Sequence, residues 1–197
     1  MQELPTLPVL LCGAARSGKE ALFYRFVHRS FSTAASARPS TSGSLTGLRS
    51  VRLQGKPTVF VACSCTKGDV LRVTTPDILS IWGDPAHVKA VVLVVDGEAA
   101  FLDGNIEEAM GALLDGARAM SRKTNRGDIL ATFAISKCDL IPESPPVAFG
   151  DRVQDFARAQ GVSSFFISSK DWSDAHVDGP LAIFKMLAHW YLTINDK

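Results

Sequence analysis

The sequence has little of several features that mark specialised classes of protein. Its four cysteines, Cys12, Cys63, Cys65 and Cys138, do not have the paired spacing of a zinc site, and its four histidines form no spaced cluster. We therefore expect free thiols, buried or in loops, and a reducing intracellular compartment. Neither sign of charge predominates, because 21 basic residues nearly balance 20 acidic ones. No overall field would attract nucleic acid or an anionic membrane to this chain.

Long hydrophobic runs are missing as well. The longest strongly apolar run, residues 90–95, is far too short to span a bilayer. The first residues do not have the pattern of a secretory signal, and the last residues do not form a prenylation motif. We therefore expect no intrinsic membrane anchor and no nucleic-acid partner. The predicted location is cytoplasmic, with any attachment to a membrane or an assembly made through a protein partner.

Apolar residues are plentiful, at 46% of 197 residues, and they recur in patterns that alternate between strand and helix. Strands are predicted at residues 9–12, 48–54, 57–63, 89–95, 129–135 and 164–167. Helices are predicted at residues 21–29 and 151–160, after Asn105, and from Pro180. This order predicts one α/β domain over residues 1–197, with a six-stranded, mostly parallel sheet and helices on both faces. Residues 48–54 and 57–63 would form a hairpin that adds one antiparallel edge strand.

The first predicted strand is followed by a stretch that is typical of phosphate binding. This stretch reads G-x-x-x-x-G-K, the phosphate-binding loop, between a predicted strand and a predicted helix. The motif consists of Gly13, Ala14, Ala15, Arg16, Ser17, Gly18 and Lys19, and Glu20 follows it. Glycines let the backbone N–H groups of such a loop curl around an anion, and the next helix points its positive end at the phosphates. Lys19 would reach the terminal phosphates as a point charge. The pattern predicts a P-loop NTPase fold.

Two further polar segments follow predicted strands. Ser136-Lys137-Cys138-Asp139 comes directly after residues 129–135, and Ser168-Ser169-Lys170 comes directly after residues 164–167. In a parallel sheet, ligands bind where the carboxyl ends of the strands meet. We therefore expect these two segments and the phosphate-binding loop to converge on one crevice.

With these three segments in this order, the chain resembles the small GTPase superfamily, of the Ras, Arf and signal-recognition-particle-receptor beta-subunit type, over essentially its whole length. Ser136 to Asp139 is similar to the guanine motif N/T-K-x-D, and Ser168 to Lys170 is similar to S-A-K. The resemblance implies that Asp139 accepts two hydrogen bonds from guanine, that Lys137 lies along the base, and that the Ser169 N–H meets the exocyclic oxygen. Ser136 replaces the usual Asn, which implies a shorter tie to the phosphate-binding loop.

The chain departs from this family at the positions that bind the metal ion and orient the attacking water. Glu20 replaces the hydroxyl that supports Mg²⁺, and Cys65 stands where the D-x-x-G motif, ending here at Gly68, has its Asp. No Gln follows Gly68 to orient a water. Glu20 either ligates a metal itself or faces the phosphates as like charge against like charge. The expected ligands are GTP or GDP, and the sequence leaves open whether Mg²⁺ is bound with them. No catalytic residue is assigned, and hydrolysis is expected to be impaired.

Two functions remain open at this point. One is a divergent small GTPase-like protein that binds a guanine nucleotide and acts through protein partners, in membrane traffic or protein targeting as the resemblance implies. The other is a nucleotide-free pseudo-GTPase that serves as a structural subunit of a larger complex. Partners would bind through two long irregular segments, Ser30 to Gly47, predicted to be a mobile loop, and Ser64 to Pro85. Thr41 or Thr46 would sense the last phosphate. The two guanine-type segments disfavour a phosphate-loop kinase.

Overall fold

A computed structural model describes residues 5–28, 45–65, 88–123, 129–141, 147–168 and 179–195. Within these residues there are six strands and five α-helices. The strands are β1 (Thr6–Gly13), β2 (Leu45–Val51), β3 (Val59–Cys65), β4 (Ala90–Asp96), β5 (Leu130–Ser136) and β6 (Ser163–Phe166). The helices are α1 (Lys19–His28), α2 (Gly97–Asp103), α3 (Ile106–Lys123), α4 (Val147–Ala159) and α5 (Pro180–Asn195), and a short 3-10 helix covers Cys138–Leu140.

The strands form one sheet in the order β2-β3-β1-β4-β5-β6. Neighbouring strands are parallel except β2 and β3, which are antiparallel. The predicted α/β class, the mostly parallel six-stranded sheet and the antiparallel edge strand are therefore confirmed. Because β1 lies between β3 and β4, its last residue, Gly13, ends in the middle of the sheet opposite Val94. The end of β4 is in turn paired with the end of β5, with Asp96 opposite Ser136.

The central strands are apolar on both sides, so helices cover both faces of the sheet, as predicted. β4 is buried from Ala90 to Val95, which is typical of a strand in the middle of a parallel sheet. On one face lie α1 and α5, and the rings of Phe26 and Phe184 stack between them. On the other face, α2, α3 and α4 bury a second apolar cluster. The two cores enclose the central strands, and the three polar segments follow the carboxyl ends of β1, β5 and β6.

The β2–β3 hairpin is longer at its open end than the sequence predicted. β2 begins at Leu45, inside the predicted loop 30–47, and β3 continues through Cys65, inside the predicted loop 64–85. The physical reason is pairing on both sides of β3, because Cys65 lies opposite Leu45 in one ladder and opposite Leu11 in the other. Residues 52–54 and 57–58 are not strand. The rest of both predicted loops lies outside the described residues.

Two helical segments also differ from the prediction. α4 begins at Val147 rather than at residue 151, and α2 was not predicted at all. α2 is only seven residues long, which is too short for an apolar period to be visible in the sequence. Its ends are capped instead: a side-chain oxygen of Asp96 accepts the N–H of Ala99, and Gly104 ends the helix with a left-handed backbone (φ 65°).

Candidate functional site

The phosphate-binding loop runs from the end of β1 to the first turn of α1. The N–H of Ser17 donates to the carbonyl of Ala14 at 3.2 Å, which closes a tight turn. Arg16 and Gly18 both have left-handed backbones, with φ of 63° and 88°. Left-handed residues between right-handed ones are the geometry from which backbone anion nests are built. Ala15 and Arg16, at the tip of the turn, are exposed to solvent.

Two glycines allow this loop to lie close to the neighbouring strands. A Cβ atom on Gly13 would stand 2.3 Å from the carbonyl oxygen of Val94, which no real side chain tolerates. A Cβ atom on Gly18 would stand 3.2 Å from the side chain of Ser136 and would add the strain of a positive φ. The first glycine of the motif is therefore required for contact with β4, and the second for contact with the end of β5.

Lys19 is the charged group at the centre of the loop. It is 3% exposed, and its Nζ donates to the carbonyl of Ala14 at 2.8 Å. Burying an ammonium group is costly unless carbonyl or anionic groups surround it. Lys19 also starts α1, whose N-terminal end carries a partial positive charge. An anion at this loop would therefore meet the ammonium and the helix end together.

Ser136, the last residue of β5, links the guanine-type segment to the phosphate-binding loop. Its hydroxyl is buried and lies 2.5 Å from the carbonyl oxygen of Ser17 and 3.1 Å from that of Val95. A hydroxyl has one proton to donate, and the shorter contact identifies the Ser17 carbonyl as its main acceptor. A serine side chain is thus long enough to tie the end of β5 to the loop. It joins residues 119 positions apart in the chain.

Lys137 and Asp139 extend this segment towards the surface. Lys137 has a left-handed backbone with φ of 57°, and its carbonyl accepts the N–H of Leu140 at 3.0 Å. Its Nζ lies 2.5 Å from a carboxylate oxygen of Asp96 at the end of β4. Asp139 lies in the short 3-10 helix and is exposed. Asp139 is thus an exposed residue at the same end of the sheet as the phosphate-binding loop.

The third segment follows β6 and adjoins the second. The N–H of Ile167 donates to the carbonyl of Ile135 at 2.7 Å, and the N–H of Cys138 donates to the carbonyl of Ile167 at 3.2 Å. Ser168 is buried, at 5% exposed. Ser169 and Lys170 lie outside the described residues, as does Thr41. The described parts of the three segments therefore adjoin one another at the carboxyl end of the sheet.

The two positions that would support Mg²⁺ carry groups other than the usual ones, a carboxylate at Glu20 and a thiol at Cys65. Cys65 ends β3 close enough to Lys19 and Glu20 for both charges to act on its thiol. Burial raises the pKa of Cys65 to about 12, Lys19 opposes this shift and Glu20 adds to it. At neutral pH the side chain is therefore a neutral thiol, whereas Mg²⁺ prefers charged or carbonyl oxygen ligands in octahedral geometry. With a carboxylate in place of the hydroxyl and a thiol in place of the carboxylate, these residues do not fit a Mg²⁺ ion held as in P-loop NTPases.

The remaining thiols are buried or half-buried, and Thr46, one of the two predicted sensor threonines, lies on the edge strand β2. Burial raises the pKa of Cys12 and Cys138 to about 12 and that of Cys63 well above its usual value. The prediction of buried thiols is thus confirmed for Cys12, Cys63 and Cys65, and Cys138 is half-buried. Thr46 is exposed on the edge strand β2. Within the described part of the chain, no cluster of three or more His, Cys, Asp or Glu side chains is arranged to hold a metal ion.

Asp96 and Gly97 also lie at the carboxyl end of the sheet, although they belong to none of the three segments predicted from the sequence. Gly97 is needed because a Cβ atom there would lie 2.6 Å from the carbonyl oxygen of Ser136. The dipeptide Asp-Gly directly after a buried strand is the feature of the sequence that marks this position. No known protein family matches this chain, and no curated protein is significantly similar to it. Among the described residues, no helix is both long and apolar enough to cross a bilayer.

Proposed function

We propose that the chain is a divergent small GTPase-like protein with a P-loop NTPase fold, which binds a guanine nucleotide, hydrolyses it weakly or not at all, and acts through protein partners. The observation that carries this proposal is the hydrogen bond from the hydroxyl of Ser136 to the carbonyl of Ser17. It brings a G-x-x-x-x-G-K loop and an S-K-x-D segment together at the carboxyl end of one parallel sheet. Phosphate groups and a base could be bound side by side in that arrangement.

The phosphate half of the proposal is supported by the loop itself. Left-handed residues, a helix N-terminus and the buried ammonium of Lys19 occur within one short segment. Each of these favours an anion, and their effects act at the same place. Arg16 at the exposed tip adds a further positive charge near the mouth of the loop.

The guanine half is supported by the exposed carboxylate of Asp139. A carboxylate can accept hydrogen bonds from both the ring N–H and the exocyclic amine of guanine, and adenine does not offer that pair of donors. The neighbouring Lys137 would lay its aliphatic stem along the base. Ser168 belongs to the third segment, in which the N–H of Ser169 would reach the exocyclic oxygen.

Weak hydrolysis follows from the residues at the metal positions. Glu20 and Cys65 do not supply the usual support for Mg²⁺. The protein would be cytoplasmic and would attach to membranes or assemblies through protein partners. These partners would bind at Ser30 to Gly47 and at Ser64 to Pro85. Membrane traffic or protein targeting is the process that this type of protein would serve.

A nucleotide-free pseudo-GTPase within a larger complex is the second candidate, and the position of Glu20 favours it. Glu20 lies in the first turn of α1, where a carboxylate is stabilised by the positive helix end. A carboxylate carried by α1 itself would compete with the phosphates of a nucleotide for that positive helix end. On this account the fold would persist as a scaffold without ligand.

The base assignment is tested by Asp139→Asn. An amide offers one acceptor oxygen where the carboxylate offers two, so the affinity for GDP should fall by about 10- to 100-fold. Xanthosine diphosphate, which carries an oxygen in place of the exocyclic amine, should lose far less. Competition against a fluorescent GDP analogue measures both, with Asp151→Asn, an exposed carboxylate on α4, as the matched control. An unchanged preference for guanine over xanthine in Asp139→Asn would refute the assignment.

A further inference from the structure

We propose that Asp96 is a positioning residue for base recognition, because it holds the ammonium of Lys137 and thereby fixes the stem of that lysine for contact with the base. The inference rests on the proposed function and adds to it a residue outside the three recognised segments. Asp96 is the last residue of β4 and lies opposite Ser136 in the ladder with β5. It therefore borders the guanine-type segment directly.

Both carboxylate oxygens of Asp96 are engaged. Oδ2 lies 2.5 Å from Nζ of Lys137, and Oδ1 accepts the N–H of Ala99 at 3.1 Å in the first turn of α2. The bond to Ala99 fixes the orientation of the carboxylate, because it anchors one oxygen to the helix backbone. The other oxygen then presents a fixed point of negative charge to Lys137.

This ion pair differs from an ordinary surface pair because both side chains are partly buried and the backbone of Lys137 is strained. The side chains of Lys137 and Asp96 are 24% and 18% exposed, and Lys137 also keeps a left-handed backbone that is unfavourable for a residue with a Cβ atom. Such backbone strain persists only where the surroundings impose it, and it is concentrated at functional sites. Backbone and side chain of Lys137 are thus both held in set positions, one by the turn to Leu140 and the other by Asp96.

The consequence is a lysine that is ordered before any nucleotide arrives. Immobilising a long side chain during binding reduces affinity because rotamer freedom is lost. If Asp96 has already fixed the ammonium, that loss no longer accompanies binding. Removing the charge of Asp96 should therefore weaken nucleotide binding even though Asp96 makes no contact with the base.

The test is a double-mutant cycle on the affinity for a fluorescent GDP analogue. Asp96→Asn keeps an oxygen for the Ala99 N–H and removes the charge, and it should raise the Kd by about three- to tenfold. In the background of Lys137→Gln, the same change should alter the Kd by less than about twofold, because the residue through which Asp96 acts is gone. Asp103→Asn, at the exposed end of α2, is the control and should leave the Kd unchanged. If Asp96→Asn does not fold by circular dichroism, Asp96→Ser retains a capping oxygen and should give the same increase.

The outcomes separate the two proposals. A wild-type protein that binds no guanine nucleotide would overturn the proposed function and this role together. A wild type that binds, with unchanged Kd in Asp96→Asn, would overturn only the role of Asp96. Equal losses of affinity from Asp96→Asn in the wild-type and Lys137→Gln backgrounds would do the same, because a merely structural effect is additive and a positioning effect is not.

Discussion

Gly18 combines a positive φ with a close contact to Ser136, and comparison with Gly55, which has only the positive φ, separates the two effects. Gly18→Ala should lower the free energy of unfolding by about 1–2 kcal/mol, because its φ is positive, and should weaken nucleotide binding more than tenfold, because the new Cβ presses on Ser136 beside the loop. Gly55→Ala is the matched control: it has a φ of 68° and nothing within 4 Å of the added atom. Thermal unfolding and nucleotide titration of both variants give the comparison. Equal nucleotide affinities in the two variants would contradict the account.

Glu20 gives a second prediction at the residue scale. Glu20→Thr removes a negative charge from the first turn of α1 and supplies a hydroxyl for a metal ion. The affinity of this variant for GDP should therefore rise about fivefold in the presence of Mg²⁺. Glu20→Gln separates the two effects, because it removes the charge and supplies no hydroxyl, and its gain should not depend on Mg²⁺. Titrations with Mg²⁺ and with chelator measure this. If Mg²⁺ makes no difference to Glu20→Thr, the metal argument is wrong.

At the scale of elements, one ion pair connects the helices on the second face of the sheet. Arg152 on α4 donates to both carboxylate oxygens of Glu107 on α3 and to the carbonyl of Gly104. The hydrogen bond from Arg152 lowers the pKa of the Glu107 carboxyl. Both side chains are more than a third exposed, so the contribution of this pair to stability is small.

The pair predicts a pH-dependent effect of Arg152→Gln. Because the pKa of Glu107 is lower in the folded than in the unfolded protein, the stabilisation is present above the unfolded pKa, about 4.3, and is lost as the pH falls through the lowered value. Arg152→Gln should therefore lower the Tm by up to about 3 °C at pH 7 and have progressively less effect below about pH 4. Arg122→Gln, an exposed arginine on α3, is the control. A Tm difference that persists undiminished at pH 2.5 would contradict this mechanism.

Elements differ in how far the sequence alone predicts them. β4 is evident from its continuous apolar run, since a strand buried on both faces has little choice of residue. α2 is not, because its seven residues are too few for an apolar period, although Asp96 and Gly104 cap its ends. Leu45 to Gly47 look like a loop and become strand only because β3 provides a pairing edge. Local propensity is overridden there by tertiary contacts.

The same distinction applies to the candidate site. The G-x-x-x-x-G-K stretch and the S-K-x-D stretch are visible as motifs, and the alternation of strands and helices predicts the edge on which they lie. The contact of Ser136 with Ser17 depends on strand order and on the closeness that Gly18 and Gly97 allow. The pairing of Asp96 with Lys137 depends on the same strand order. The resemblance of Ser136 to the motif's asparagine implies the first contact, whereas no motif in the sequence indicates the second.

At the scale of the whole molecule, two apolar cores hold β1, β4 and β5, and three polar segments adjoin one another where the strands end. The central claim is that this edge of the sheet binds a guanine nucleotide. The most direct measurement is the nucleotide content of the protein purified without added nucleotide, determined by ion-exchange chromatography of the supernatant after denaturation. We predict that GDP or GTP is released. A protein that releases none, and that also fails to bind a fluorescent GTP analogue at micromolar concentration, would contradict the account.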